Sequence, residues 1–311
     1  MIQYDPLGAV LEWFRSLAGI LTDPNSPFWW PTLIAILVGM GIVAVTTGAS
    51  WREVRREALG GDPQRFLRQL PSDLGFMLAS SAVPFVAAPV LLVFGAFGVF
   101  CGMRLLAPIF GLPPEGSVLE DPAGMVLCAL VAFLAGDFAL YWSHRLFHRF
   151  PVLWRAHQLH HAPETLNPMT GFRFWPHEQL AHLTAAAFLS NFGMGMMAAI
   201  LGTGITIYTL LGVNVFVLAW NLGFSHLRHS HIALHFPRWL SYVLVSPVMH
   251  QAHHSVDVAH HDRNFATAFA LWDWMFGTLY LPARGERFRF GLDAVEETVA
   301  EVKPEAARPV A

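Results

Sequence analysis

Four long apolar stretches limit what this chain can fold into. Residues 31–47 form the first, 74–103 the second, 123–142 the third and 183–221 the longest, with only scattered polar residues inside them. A helix needs about 20 mostly apolar residues to cross a bilayer. Inside the hydrocarbon layer only helices and closed barrels satisfy their own backbone hydrogen bonds. Strand-type alternation is nearly absent, so the expected class is all-α: an integral membrane helical bundle with a cytosolic, histidine-rich helical cap. Composition agrees, with 54% hydrophobic and 13% charged residues, about half the usual charged share of a soluble domain. The run at 183–221 is long enough to cross twice, with a tight turn near Gly202–Gly204, which makes about five spans in all.

Charge sets the expected orientation. Arg52, Arg55, Arg56, Arg65 and Arg68 crowd the segment after the first run, and basic loops stay on the cytoplasmic side. The loop at 111–122 holds Glu115, Glu120 and Asp121 and no basic residue, so it belongs outside. The third run then returns to the cytoplasm and delivers His144 there, and a hairpin at 183–221 brings His226 to the same face. The net charge of -3 suggests no nucleic-acid partner. Cys101 and Cys128 lie in apolar runs without a CxxC, so no disulfide framework is indicated. The first 20 residues have no basic region ahead of their apolar stretch and read as an interfacial amphipathic helix rather than a cleaved signal. Three parts are expected: a membrane region at 1–122, a histidine-rich domain at 123–282, and a polar, flexible tail at 283–311.

The histidines carry the chemistry. All sixteen lie between His144 and His261. They fall into HRLFH at 144–148, HQLHH at 157–161, HLRHSH at 226–231, HQAHH at 250–254 and HH at 260–261. Imidazole is the commonest side-chain metal ligand. His157, His160 and His161 stand at i, i+3, i+4, so two or three of them can converge on one point, and His250, His253 and His254 repeat this. HQAHH follows Ser246 and Pro247, which read as a helix cap and first turn. With His144 and His148 these clusters supply eight ring donors, more than the four to six or so that one ion takes, so two metals are indicated. In the 226–231 stretch His226 and His229 are favoured as ligands, and His231 and His235 are set aside. All-imidazole donors suit iron, zinc, copper or nickel. Asp137, Tyr141, His144 and His148 share one helix face. A carboxylate in an apolar span is costly and usually marks function; Asp137 is expected to orient a ligand ring. His260, His261 and Asp273 are further ligand or outer-partner candidates, with His177 and His182 weaker; Arg173, His177 and Glu178 can form an outer layer.

These motifs resemble the fatty acid hydroxylase/sterol desaturase superfamily of membrane di-iron enzymes. The resemblance covers about residues 125–282: DFALYWSHRLFH, LWRAHQLHHAPETLNPMTGFRFWPHE, HLRHSHI and SPVMHQAHHSVDVAHHDRNFATAFALWDWMFGTLYLP. It departs at Asn264-Phe265-Ala266, where many relatives have glycine last. The resemblance implies two non-haem iron ions at the cytosolic membrane face, with zinc as a substitute metal, held by His144, His148, His157, His160, His161, His229, His250, His253 and His254, with His226 less certain. It implies O2-dependent hydroxylation or desaturation of lipid C–H bonds. No dinucleotide fingerprint, haem-attachment motif or ferredoxin-type cysteine set is visible, so electrons are expected from a separate ferredoxin, cytochrome or reductase. Phe172, Phe174, Trp175, Trp220 and Phe224 are expected to line an apolar lipid groove. The rival readings are a membrane iron or zinc transporter or metal-binding protein, and a b-type haem protein. Transport sites sit near the bilayer midplane in broken helices, and a haem needs only paired histidines.

Overall fold

A computed structural model describes residues 5–19, 21–22, 30–207, 209–210, 213–222 and 225–292. Phe224 and the tail residues 293–311 lie outside that set. Almost all regular structure is helical. Short α1 (Pro6–Ala18) is capped by Asp5 and rests on α4 (Pro63–Val86), where the Trp13 indole donates to Ser81. Between them come α2 (Trp30–Thr47) and α3 (Trp51–Ala58), the latter closed by a Ser50/Glu53 capping box. The membrane core is α5 (Ala88–Phe110), α6 (Pro122–Arg149) and α8 (Pro176–Leu201), with α7 (Pro151–His161) folded back between the last two.

Small residues let these helices approach. In α5, Gly98 and Gly102 form a small-xxx-small pair, and a Cβ on either would collide with the α8 backbone at Phe188 or Phe192. Gly195 of α8 is closed in the same way by Val99. The pairings climb together along both chains, so α5 and α8 run parallel, packed through backbone contact as membrane helices prefer. α6 runs antiparallel to α8: Gly136 faces Ser190, and Gly193 faces Val131 and Ala135.

Among the described residues four helices, α2, α5, α6 and α8, are long and apolar enough to cross a membrane. The 74–103 run is divided between α4 and α5. The second crossing expected within 183–221 is not a long helix. α8 stops at Gly202 in the left-handed conformation. A two-residue hairpin follows, β1 (Thr209–Leu210) against β2 (Val213–Asn214), and then α9 (Val215–Leu222). Eight residues rise only about 12 Å. The segment nonetheless climbs back along α6, where Asn214 donates to the Ala129 carbonyl and Phe216 stacks on Phe133. The chain was expected to return, and it does, but without a spanning helix.

Helix length separates the two ends of the bundle. α6 is about 42 Å long and α8 about 39 Å, against a hydrocarbon layer of about 30 Å. Both helices are therefore longer than the layer is thick, and the last turns of α6 lie beside the first of α8 at one end of the bundle. α7, α10 (Pro247–His253), α11 (Leu271–Met275) and the connecting loops cover that end. The arginine-rich segment is at the same end: Val54 shares a core cluster with Met40, Val43, Leu227, Ile232 and Leu234, and Arg65 pairs with Glu164. The acidic 111–121 loop is at the other, where Leu119 bonds Gly204. Of the polar tail, residues 283–292 lie along the cap, with the Arg289 carbonyl accepting from Val256.

Candidate metal centre

Nine histidines meet in two adjoining groups. The first holds His144, His148, His157, His161 and His253; the second holds His160, His229, His250 and His254. Within each group one ring nitrogen per residue lies within 4.8 Å of all the others. The groups touch, with the His161 and His254 rings 4.4 Å apart.

The two HxxHH helices exchange residues. In α7, His157 and His161 point to the first group while His160 joins the second. In α10 the assignment reverses: His250 and His254 serve the second group and His253 serves the first. The i, i+4 pair of each helix shares one direction, and the residue between them faces the neighbouring group. α6 adds His144 and His148, one turn apart, from its C-terminal end. His229 arrives from the short 3-10 helix at 225–229.

The first group is oriented by the protein. The His144 Nδ1 lies 2.8 Å from the Phe265 carbonyl, the His157 Nδ1 lies 2.5 Å from Glu178, and the His253 Nδ1 lies 2.7 Å from the Arg263 carbonyl. A carbonyl or carboxylate only accepts, so these rings carry their proton on Nδ1 and turn the Nε2 lone pair inward. The inward nitrogens of His148, His161 and His253 have no hydrogen-bond partner. In the second group the Nε2 atoms face one another, His160 to His229 at 3.2 Å, His229 to His250 at 2.9 Å and His250 to His254 at 3.2 Å.

These spacings fit a shared cation. Ligands about 2.1 Å from one ion stand roughly 3.0–3.4 Å apart along the edges of an octahedron or tetrahedron. Without an ion the arrangement is costly. His160, His250 and His254 also have unpartnered Nδ1 atoms, and a buried polar nitrogen left unpaired costs about 1–3 kcal/mol. Burial first, then neighbouring imidazoles or cations, hold His157, His160, His161, His229, His250, His253 and His254 well below the ordinary imidazole range. Neutral imidazole is the metal-binding form. The residues present therefore suit two metal ions.

Other candidates stand elsewhere. His226 is not brought into either group; burial holds it down to about 4, and its Nε2 has no partner. His260 bonds Ser255 and Glu286, away from the centre, and His261 joins neither group. His177 is exposed. Asp137 does not touch a ligand ring. It accepts from the backbone of Ala268 and Phe269 and from the Trp272 indole. Asp273 accepts from the Phe265 and Ala266 backbone and from Thr278. Both carboxylates thus brace the loop whose Phe265 carbonyl orients His144. Asn264, in the left-handed region that asparagine tolerates, donates to Met249 and Tyr280. Ala266, the position of the departure from the family pattern, is fully buried with its amide on Asp273.

Glu178 emerges as the main outer partner. It is fully buried, bonds His157 and approaches His182, which in turn meets Ser143. Its neighbour His177, a candidate for the same outer layer, faces outward. Phe174 stacks on His160 with rings 4.6 Å apart, forming one wall. Trp175 is exposed against Phe76, the Phe172 carbonyl holds Ser80, and Trp220 packs in the Tyr141 cluster.

Comparison with known proteins falls on the same segment. The fatty acid hydroxylase family model matches residues 129–278. An alkylglycerol monooxygenase of Homo sapiens is 28% identical over 172 residues, 55% of this chain and 34% of the relative. An ornithine lipid hydroxylase of Rhizobium tropici is 25% identical over 173 residues, 55% of this chain and 47% of the relative. A very-long-chain aldehyde decarbonylase of Oryza sativa subsp. indica is 28% identical over 198 residues, 62% and 64% of the two chains. The chain thus spans about a third of the first of these relatives and about half of the second. No solved structure matches.

Proposed function

We propose that this chain, whose residues 129–278 belong to the fatty acid hydroxylase/sterol desaturase superfamily, is a membrane di-iron oxidoreductase that uses O2 to hydroxylate or desaturate C–H bonds of a lipid or sterol-like substrate. One observation carries the reading: two adjoining groups of inward-facing imidazoles, five and four, at the end of membrane-crossing helices. His144, His148, His157, His161 and His253 would hold one iron, and His160, His229, His250 and His254 the other. Bound there, the iron pair supplies the O2-derived oxidising power that an unactivated C–H bond requires. The chain's own residues orient and exclude. Glu178 and the Phe265 and Arg263 carbonyls fix three rings in one tautomer, and Asp137 and Asp273 stiffen the loop that provides the Phe265 carbonyl. Phe174 and the cap keep water from the centre, which protects a reactive site from side reactions.

The lipid substrate would enter from the bilayer, the electrons from a separate ferredoxin, cytochrome or reductase. The arginine-rich segment shares the end of the bundle that bears the histidines, which supports a cytoplasmic centre. Residues 123–282 would act as the oxygenase domain. Metal transport is the weaker reading, because the imidazole groups gather at the last turns of α6 and the first of α8, whereas transport sites sit near the bilayer midplane in broken helices.

The test has two parts. Purified protein should retain about two irons per chain through mild chelation, as buried multi-imidazole sites would. A deletion strain and a His160→Ala strain should lose the same oxygenated or unsaturated lipid. Loosely exchanging metal, or a lipid profile unchanged in both strains, would sink the proposal.

A further inference from the structure

A cleft of about 460 Å³ opens beside the metal centre. It is lined by Arg65, Arg68, Gln69 and Ser72 of α4, by the 162–165 turn, and by Arg173. The turn follows His161 directly, so Glu164 has its Cα within about 11 Å of the Cα of that ligand. Arg173 also points its Nε at the Leu159 carbonyl, between His157 and His160.

The charges in the cleft are unequal. Arg65 is paired with Asp62 and Glu164. Arg173 is paired with the fully buried Asp73 and also donates to Ser72. Arg68 has no acidic partner among the described residues and is exposed. The lining thus carries three arginines against one carboxylate, Glu164, with Asp62 and Asp73 balancing the other charges from behind. Arg68 is left as the one unpaired arginine of the lining, beside a hydroxyl and an amide, the chemistry that recognises phosphate or carboxylate.

The same helix shows where the cleft lies. Leu67, Leu74 and Leu78 are exposed and spaced i, i+7, i+11, which makes one apolar stripe along α4. At 100° per residue, Arg65, Arg68, Gln69 and Ser72 fall on the other side. A helix with an apolar stripe and an arginine-bearing polar face lies in the membrane interface, with its stripe in the acyl layer. Neighbouring α1 adds exposed Leu7, Leu11 and Phe14 at the same level. The polar face is then at the depth of lipid headgroups.

We propose that this cleft binds the anionic headgroup of a membrane lipid. Arg68 is the free cation that meets it, Arg65 and Ser72 flank it, and Arg173 closes the end nearest the histidines. The site would exist whether or not the bound lipid is the one oxidised.

Full-length protein in non-ionic detergent, titrated with dioleoyl phosphatidate and followed by native mass spectrometry, provides the test. Phosphatidate should bind at least about tenfold more tightly than dioleoylglycerol, which has the same chains and no phosphate, and Arg68→Glu should weaken it by about tenfold or more. Arg68→Ala, a milder change, should fall between, with metal content and elution volume as in the wild type to show an intact fold. Binding should weaken as salt rises, since the arginine is exposed. Equal binding of dioleoylglycerol, or no effect of either substitution, would overturn the proposal. Inorganic phosphate binding as tightly as phosphatidate would reassign the cleft to a soluble anion. An Arg68→Glu protein that keeps phosphatidate but loses the response to its electron-donor protein would reassign it to an acidic protein surface. Either result removes the lipid.

Discussion

The two imidazole groups are built differently. In the first, three of five rings are tied from behind, by Glu178 and by the Phe265 and Arg263 carbonyls. In the second, three of four rings have a buried second nitrogen with no partner. The first group has three of its tautomers set by the protein, whereas the second leaves most of its orientation to whatever ion its four rings would share. Outer partners typically account for about 10–100-fold in metal affinity, so the two sites should differ in how tightly and how independently they load.

The largest effect should come from removing a ligand on each side. His157→Ala and His160→Ala should each lower activity by more than about a hundredfold, beyond the usual cost of an outer partner. Metal analysis should show the first emptying the five-histidine site and the second the four-histidine site. Equal loss of both metals from either variant would mean the sites are not separable. Next, Glu178→Gln should weaken metal at the five-histidine site by about tenfold and leave the other unchanged, as read by chelator competition.

Acid should act on the metal-free protein. The seven histidines of α7, α10 and position 229 whose folded values lie below the ordinary value of 6.5 bind fewer protons folded than unfolded. Stability is therefore full above about pH 6.5 and falls as pH drops below it. Thermal unfolding of metal-free protein across pH 5–8 checks this; a midpoint that rises toward acid would contradict the buried neutral rings. Asp273→Ala strips the acceptor from two buried amides and should cost about 1–3 kcal/mol, with the five-histidine site loosened more because Phe265 is its anchor. The smallest effect is expected at His226, where substitution by alanine should leave the metal load of both sites intact. Loss of one metal would restore it as a ligand.

Much of this was readable from residue spacing, because a helix face has a fixed period. HxxxH and the two HxxHH segments announced their convergence. Spacing did not reveal that each HxxHH divides its residues between neighbouring groups, since that depends on how α7 and α10 face each other. Glu178 was visible as an acid beside His177, but which of the two turned inward depended on where α8 begins. Asp137 drew attention as a carboxylate in an apolar span, and it does hold something, though the partner is a loop 131 residues away in sequence rather than a ring. The carbonyls of Phe265 and Arg263 left no trace, because every residue has one. The return strand of the 183–221 run was hidden for a related reason. Hydropathy reports how apolar a segment is, and α9 with its hairpin is as apolar as a spanning helix.

α6 is one uninterrupted rod from Pro122 to Arg149. Its apolar length suits a bilayer, and its tip carries His144 and His148. A thicker or thinner bilayer changes the tilt of such a rod, and its two imidazoles must swing with it while α7 and α10 stay braced against the cap. The physical state of the surrounding fat therefore enters the geometry of the two imidazole groups directly, with no messenger between them.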